Sequence, residues 1–488
     1  MYITMITPEC APAAKVGGLG DVVQGLSREL GIRGNSVEII LPKYDCMRYD
    51  KIWGLQKTFS DLRVPFQDYN IHCDVYFGFV DGLKCFFIEP HSSHNFFHRG
   101  IYYGHQDDPD RFAFFSKAAL EFLLKSNKHP DIIHCHDWQT GLVPVFLCEI
   151  YRHIGMTHPR VCYTLHNLKH QGVTGAHTLS NVGLDPGRLV NPDRLQDNFN
   201  RHAVNVMKGG IVYSNFITTV SPRYADEIKF TDQGFGLQHT LNVHHRKFGG
   251  VLNGVDYNVW NPEIDPYIAY KYNIDTIEDK YKNKEALRHR LLLRQDYKPI
   301  ITVVSRLDHQ KGVGLILHSI HYSLENGCQF VLLGSSPDSA INNDFLALKH
   351  HLNDNPDCHL EISYDEELAH LIYAGADMLV IPSAFEPCGL TQMIAMKYGT
   401  VPIVRNVGGL SDTVFDADYA HKPYHERNGY VFNEFDSTGL DSALHRAIGL
   451  WYIHPNYFRE LMTNGMNHDH SWNHPGSDYL NIYNLIKA

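Results

Sequence analysis

Val16-Gly17-Gly18-Leu19-Gly20-Asp21-Val22-Val23 is the stretch that sets the fold. It follows the first strand-like run, Tyr2–Ile6, and leads into Leu19, Val22, Val23, Leu26 and Leu30, spaced i, i+3, i+4, i+7 and i+11 on one helical face. A near copy, Val407-Gly408-Gly409-Leu410-Ser411-Asp412-Thr413-Val414, follows a strand-like run in the second half and keeps the valine, both glycines, the leucine and the aspartate. Glycine turns at strand C-termini, each opening a helix, stand where open α/β sheets bind ligands. A chance match between two loops is the competing reading of this echo.

Outward from these turns, short apolar runs alternate with helical patterns. Val37–Leu41, Asp131–His134, Val161–Leu165 and Phe216–Val220 read as strands in the first half. Ile300–Ser305, Gln329–Leu333, His359–Ser363, Met378–Ile381 and Val401–Val404 are their counterparts in the second. Leu440, Leu444, Ile448 and Trp451 share one helical face late in the chain. Nearly continuous apolar strands alternating with helices predict parallel sheets covered on both faces. The rhythm breaks at 244–262, where the strand-like Phe248–Leu252 is followed by Asn253-Gly254-Val255-Asp256 and Pro262. Beyond it, 264–299 is polar and rich in Tyr and Lys before the pattern restarts at Ile300. Two doubly wound α/β domains joined near residue 250 are expected.

Composition narrows the class of function. The 488 residues carry 43 Lys+Arg against 54 Asp+Glu, a formal net charge of −11, with 43% hydrophobic residues, enough for a core and incompatible with wholesale disorder. No apolar run approaches the roughly 20 residues a spanning helix needs, so no membrane role is expected. Met1-Tyr2-Ile3-Thr4-Met5-Ile6 lacks a basic lead and reads as a buried strand, not a signal peptide. The acidic balance argues against nonspecific nucleic-acid binding while leaving room for a local basic site for one phosphorylated ligand. Ten cysteines from Cys10 to Cys388, without a CxxC, suit reduced thiols of a cytoplasmic protein.

Five segments carry possible chemistry. Lys15-Val16-Gly17-Gly18-Leu19-Gly20-Asp21 offers backbone N–H groups and a lysine to a phosphate, or is simply a tight turn. It is no Walker A sequence, and Glu38 lies inside the second strand where a dinucleotide fingerprint wants an acid at its end. Ser305-Arg306-Leu307-Asp308-His309-Gln310-Lys311-Gly312 places two cations between a buried strand and the helix predicted over Val313–Leu324, which suits a diphosphate unless both are merely solvated. In Phe385-Glu386-Pro387-Cys388-Gly389-Leu390-Thr391-Gln392-Met393, Glu386 either faces a ligand or caps the next helix. His134-Cys135-His136-Asp137-Trp138 ends a strand with two histidines on one face. His166-Asn167-Leu168-Lys169-His170 also follows a strand and lacks the Glu of a zinc-protease helix. A metal site is conceivable there, but hydrogen-bonded or ligand-contacting histidines are the better reading.

Taken together and in this order, these motifs, with Asn253-Gly254-Val255-Asp256, resemble the bacterial-type glycogen synthases and plant starch synthases. The resemblance covers nearly the whole chain, and Asp131–Thr140 with Ile39–Cys46 looks most like the cyanobacterial enzymes and the catalytic part of starch synthases III and IV. It implies the GT-B fold, two Rossmann-like domains facing across a cleft. It also implies transfer of glucose from ADP-glucose to the non-reducing end of an α-1,4-glucan, with retention, without a metal or other cofactor. By that resemblance Lys15, Arg306 and Lys311 contact the ADP phosphates, beside Gly17, Gly18, Asp21 and the N–H groups of Leu390 and Thr391. Glu386, Cys388 and Gly389 bind glucose hydroxyls, with Asp137, His166 and Asn253 lining the sugar site. The implied domains are 1–250 for the glucan, 251–465 for the nucleotide sugar, and 466–488 ending in a helix over Pro475–Ile486 that returns to the first domain. Many retaining GT-B enzymes carry a second Glu eight positions after the first, where Ile394 stands here. A transferase using UDP-glucose or a small acceptor, a non-catalytic binding module and a dehydrogenase are the alternatives that side-by-side donor assays, turnover and NAD binding separate. No oligomeric state follows from the sequence.

Overall fold

In the computed structural model, which describes residues 1–488, the stretch quoted first behaves as its spacing predicts. β1 (Tyr2–Ile6) is a central strand with Ile3, Met5 and Ile6 out of water, and the following helix Gly18–Ile32 buries Val22, Val23, Leu26 and Leu30. Two compact units form, Met1–Gly254 with Trp472–Ala488, and Val255–Ser471.

The first unit is built on β1, β2 (Ser36–Pro42), β3 (Ile52–Phe66), β4 (Tyr69–Val80), β5 (Leu83–His91), β6 (Ile132–His136) and β7 (Arg160–Leu165). A small ribbon of β8 (Val173–Thr174) and β9 (Val204–Asn205) stands apart, and β10 (Phe216–Thr219) and β11 (Phe248–Gly250) complete the main sheet. Its order is β11-β10-β7-β6-β1-β2-β5-β4-β3, parallel from β11 to β5. The β5-β4-β3 edge is antiparallel, unlike the wholly parallel sheet expected. The reason lies in alternation: Leu62, Val64 and Phe66 on β3 and Ile71, Cys73 and Val75 on β4 are buried while their neighbours are half-buried or exposed, a one-faced pattern proper to antiparallel ribbons. Asp81 and Gly82, at φ 50° and 79°, form the two-residue turn between β4 and β5, a conformation whose second residue favours glycine.

The last helix, Asn473–Lys487, belongs to this first unit. Trp472 lies against helix Gly18–Ile32 at Gly25, where a Cβ would overlap the indole. Tyr479 and Tyr483 are fully buried, Arg33 donates to Ser477 Oγ at 2.8 Å, and Lys487 pairs with Asp131 at 2.9 Å.

The second unit holds β12 (Ile300–Val304), β13 (Gln329–Leu333), β14 (Cys358–Glu361), β15 (Met378–Ile381), β16 (Val401–Arg405) and β17 (Tyr430–Phe432), all parallel, in the order β14-β13-β12-β15-β16-β17. Helix Ser437–Ile453 buries Leu440, Leu444, Ile448 and Trp451, as the spacing predicts. The polar stretch before β12 contains helix Asp279–Arg290, tied to the sheet by the Lys284–Asp377 pair at 2.6 Å. No helix of the chain is long and apolar enough to cross a membrane.

The strand order reverses direction between β1 and β6 in the first unit and between β12 and β15 in the second. Open α/β sheets bind ligands at that switch point, outside the strand C-termini. The five segments carrying the motifs follow β1, β6, β7, β12 and β15.

Candidate functional site

In the first unit the glycine turn already holds an anion of its own. The Glu9 carboxylate, 5% exposed, accepts from Val16 N at 2.7 Å and Gly17 N at 3.2 Å, and Tyr103 Oη donates to it at 2.7 Å. Burial pushes this carboxyl above its ordinary range, against the pull of those three donors. Gly17 therefore gives its N–H to Glu9 rather than to a ligand, a departure from the expected phosphate nest. Gly18, the first helical residue, has no side-chain cap ahead of it, so the helix N-terminus keeps donors for a substrate group. Lys15 pairs with Asp21 at 2.8 Å, both side chains about one-third exposed, which fixes the lysine beside the turn.

Asp137 follows β6 in the left-handed region, at φ 56°, and its carboxylate accepts from the backbone N of His166 at 2.6 Å and of Asn167 at 3.4 Å. Burial raises the carboxyl to about 7. Its role in this geometry is to hold the 166–167 loop. His166 Nε2 lies 3.1 Å from His136 Nδ1, and burial pushes the His166 imidazole down to about 3, so the ring is neutral. His134 and His136 gather no third ligand. The one triad of potential ligands lies elsewhere, Asp74, Glu89 and His91 on β4 and β5, where Lys57 and Lys43 already pair with the acids. Asn253 is buried, with its Oδ1 left without a hydrogen-bond partner, a group that a ligand hydroxyl would satisfy.

In the second unit Glu386 does not cap the helix Thr391–Lys397, whose N-cap, Leu390, has no side-chain bond. The 5% exposed carboxylate instead accepts from Lys311 Nζ at 2.6 Å and Ser383 Oγ at 2.8 Å. One of the ammonium's three donors is thereby used, and two remain for a phosphate. Arg306 is open to solvent, its guanidinium 3.6 Å from Asp308. Pro387–Leu390 forms the turn, with Gly389 at φ 71°, and Gln392 Nε2 braces it by donating to the carbonyls of Cys388 and Gly389 and to Thr413 Oγ1. Leu390 and Thr391 are the residues at the helix start, where first-turn N–H groups lack intrahelical partners. The second glycine turn packs against this loop: Gly409 N donates to the Glu386 carbonyl, and a Cβ on Gly408 would overlap that same oxygen.

Nothing in the sequence singles out Tyr103 or Ser383, Glu9 is marked only weakly, and Gln392 stands within the Phe385–Met393 motif with no role marked by it. The available signal for Glu9 was an acid set between a strand end and a glycine turn; Tyr103 joins it from 94 positions away and carried none.

Two doubly wound units, each with polar groups collected at its switch point, agree with the class that the comparisons show, a GT-B glycosyltransferase. Residues 2–243 match the starch synthase catalytic domain family and 284–460 match glycosyl transferases group 1. A glycogen synthase of Nitrosococcus oceani is 72% identical over 487 residues, covering 100% of both chains, and one of Trichormus variabilis is 62% identical over 100% of this chain and 99% of its own. The catalytic domain of starch synthase IV from Arabidopsis thaliana, solved with ADP and acarbose, superposes with a TM-score of 0.97 at 45% identity, over 100% of this chain and 99% of that one. The chain belongs to the glycogen and starch synthase family, and its reaction is glucosyl transfer that elongates glycogen or starch.

Proposed function

We propose that the donor is ADP-glucose and that glucose passes, with retention, to the non-reducing end of an α-1,4-glucan. The observation that carries this reading is the buried Lys311–Glu386 pair at the switch point of the second unit, an acid for sugar hydroxyls joined to a cation for the adjoining phosphate. Cleaving a glycosyl diphosphate puts growing negative charge on the departing ADP. In the second unit Arg306 and Lys311, with the N–H groups of Leu390 and Thr391, absorb it in this scheme without a metal, and Lys15 and the Gly18 N–H are the first unit's own phosphate candidates. Fixed donors do this best away from bulk water, where their field is least screened.

Glu386, Cys388 and Gly389 hold glucose hydroxyls in this scheme, and within the first unit His166, Asp137 and Asn253 are the candidate sugar contacts. The relatives' solved complex with ADP and acarbose supports a nucleotide and a glucan-like oligosaccharide as the ligands. Ten cysteines without a disulfide support a reducing, cytoplasmic setting.

The test is ADP and UDP release measured side by side from ADP-glucose and UDP-glucose with glycogen as primer, in buffer containing a chelator. Turnover with ADP-glucose that persists in chelator and vanishes in Glu386→Gln is the expected result. Preference for UDP-glucose, or full loss on chelation, would overturn the donor or the metal-free assignment respectively.

A further inference from the structure

Behind His166 the first unit stacks two more buried histidines that the transfer scheme does not use. His134 and His136, alternate residues of β6, lie ring on ring with centroids 4.2 Å apart, and His136 and His166 follow at 5.3 Å. At the back of the stack Tyr483, from the last helix, meets His134 Nδ1 at 2.7 Å, and Thr164 Oγ1 meets His134 Nε2 at 2.6 Å. Burial keeps all three imidazoles neutral, so each ring carries one proton and its position matters.

The protons can be placed from the partners. His136 Nδ1 faces His166 Nε2 at 3.1 Å, so one nitrogen donates and the other accepts. His136 Nε2 is buried with no partner. A proton there would be an orphaned donor, which folded proteins tolerate less readily than an unused lone pair. His136 therefore carries its proton on Nδ1 and donates it. His166 Nε2 must then accept, which puts the His166 proton on Nδ1, the nitrogen that takes no partner from the chain.

We infer that His136 is a positioning residue for the transfer: it fixes the His166 tautomer so that an N–H, not a lone pair, is offered to an oxygen of the bound sugar. This rests on the reading that His166 lines the sugar site. The same geometry makes the stack rigid, because His134 is clamped at both ring nitrogens and His136 packs on its face.

Long-range ¹⁵N–¹H spectra of the full-length protein with labelled histidine, His166 assigned by its loss in His166→Asn, read the tautomer directly. The expected result is a protonated Nδ1 on His166, with His136→Phe, which keeps the stacked ring, losing that signature. Its kcat should fall about 10- to 100-fold with the donor KM little changed, the scale for removing the group that orients a functional histidine. His136→Asn, whose amide can restore a donor near the Nδ1 position, should recover most of the loss. A proton on Nε2 of His166 in the unaltered protein would overturn the inference whatever the variants do. So would unchanged kcat in His136→Phe while His166→Ala is impaired. Full activity of His166→Ala would instead sink the sugar-site reading, and the positioning role with it.

Discussion

Glu386 and Lys311 are each other's main polar partner, so a substitution at either has two consequences. Lys311→Ala strands a buried carboxylate, and losing one partner of such a pair costs about 3–5 kcal/mol of stability. Arg306, with its side chain 57% exposed, contributes little to the fold. Arg306→Ala should therefore leave the melting temperature near the parent's while kcat drops on the order of 10²–10³, the scale for one charge-stabilising donor. Steady-state kinetics beside thermal unfolding separates the two cases, and an Arg306→Ala effect confined to KM would refute the leaving-group role. Asp137 gives a pH prediction. Its carboxyl sits near 7 in the folded chain against an ordinary value near 4, so between those limits the folded state binds more protons than the unfolded one. Its contribution to stability therefore falls as pH rises from about 4 to 7 and levels off above. Unfolding curves of Asp137→Asn should lack that decline; parallel curves for both proteins would contradict the placement.

Between elements, two glycines decide how the site is held. Gly408 sits at φ 46° with the Glu386 carbonyl directly over its missing side chain. Gly408→Ala should push the Glu386 loop aside and lower kcat about 10²-fold, the cost of misplacing a reacting group by about 1 Å. Kinetics check this, and wild-type turnover would show that the loop tolerates the shift. Gly25 is the contact point between helix Gly18–Ile32 and Trp472. Gly25→Ala should loosen the last helix, seen as faster amide exchange across 473–487 and a lower melting temperature. Gly408 stands in a turn that its echo of the first one marks in the sequence and Gly25 in a helix whose period is plain there, yet nothing local marks Gly25 as a docking point. The antiparallel edge is a similar case: Asp81-Gly82 is a hairpin signal, but its meaning depends on β4 having one buried face where it pairs with β5, which is buried on both.

For the whole molecule, the chain order matters because the first unit is assembled from both ends of the sequence. A chain stopped at residue 471 would lose the buried Trp472, Tyr479 and Tyr483, at roughly 1.5–3 kcal/mol each, together with the Tyr483 bond to His134. It should be inactive and melt well below the intact protein by calorimetry; retained turnover would show the last helix to be dispensable. Outside residues 52–91, local sequence suffices for the alternating strand–helix order, the two glycine turns and the motif residues at strand ends, because each is written within a few neighbouring positions through periodicity and backbone freedom. Tertiary structure alone decided that Glu9 fills the first turn with help from Tyr103, that Glu386 takes Lys311 75 positions away, and that Tyr483 reaches His134 across 349. Those pairings depend on strand order and burial, which set the distances and the strength of every charge and hydrogen bond, and no local spacing encodes either.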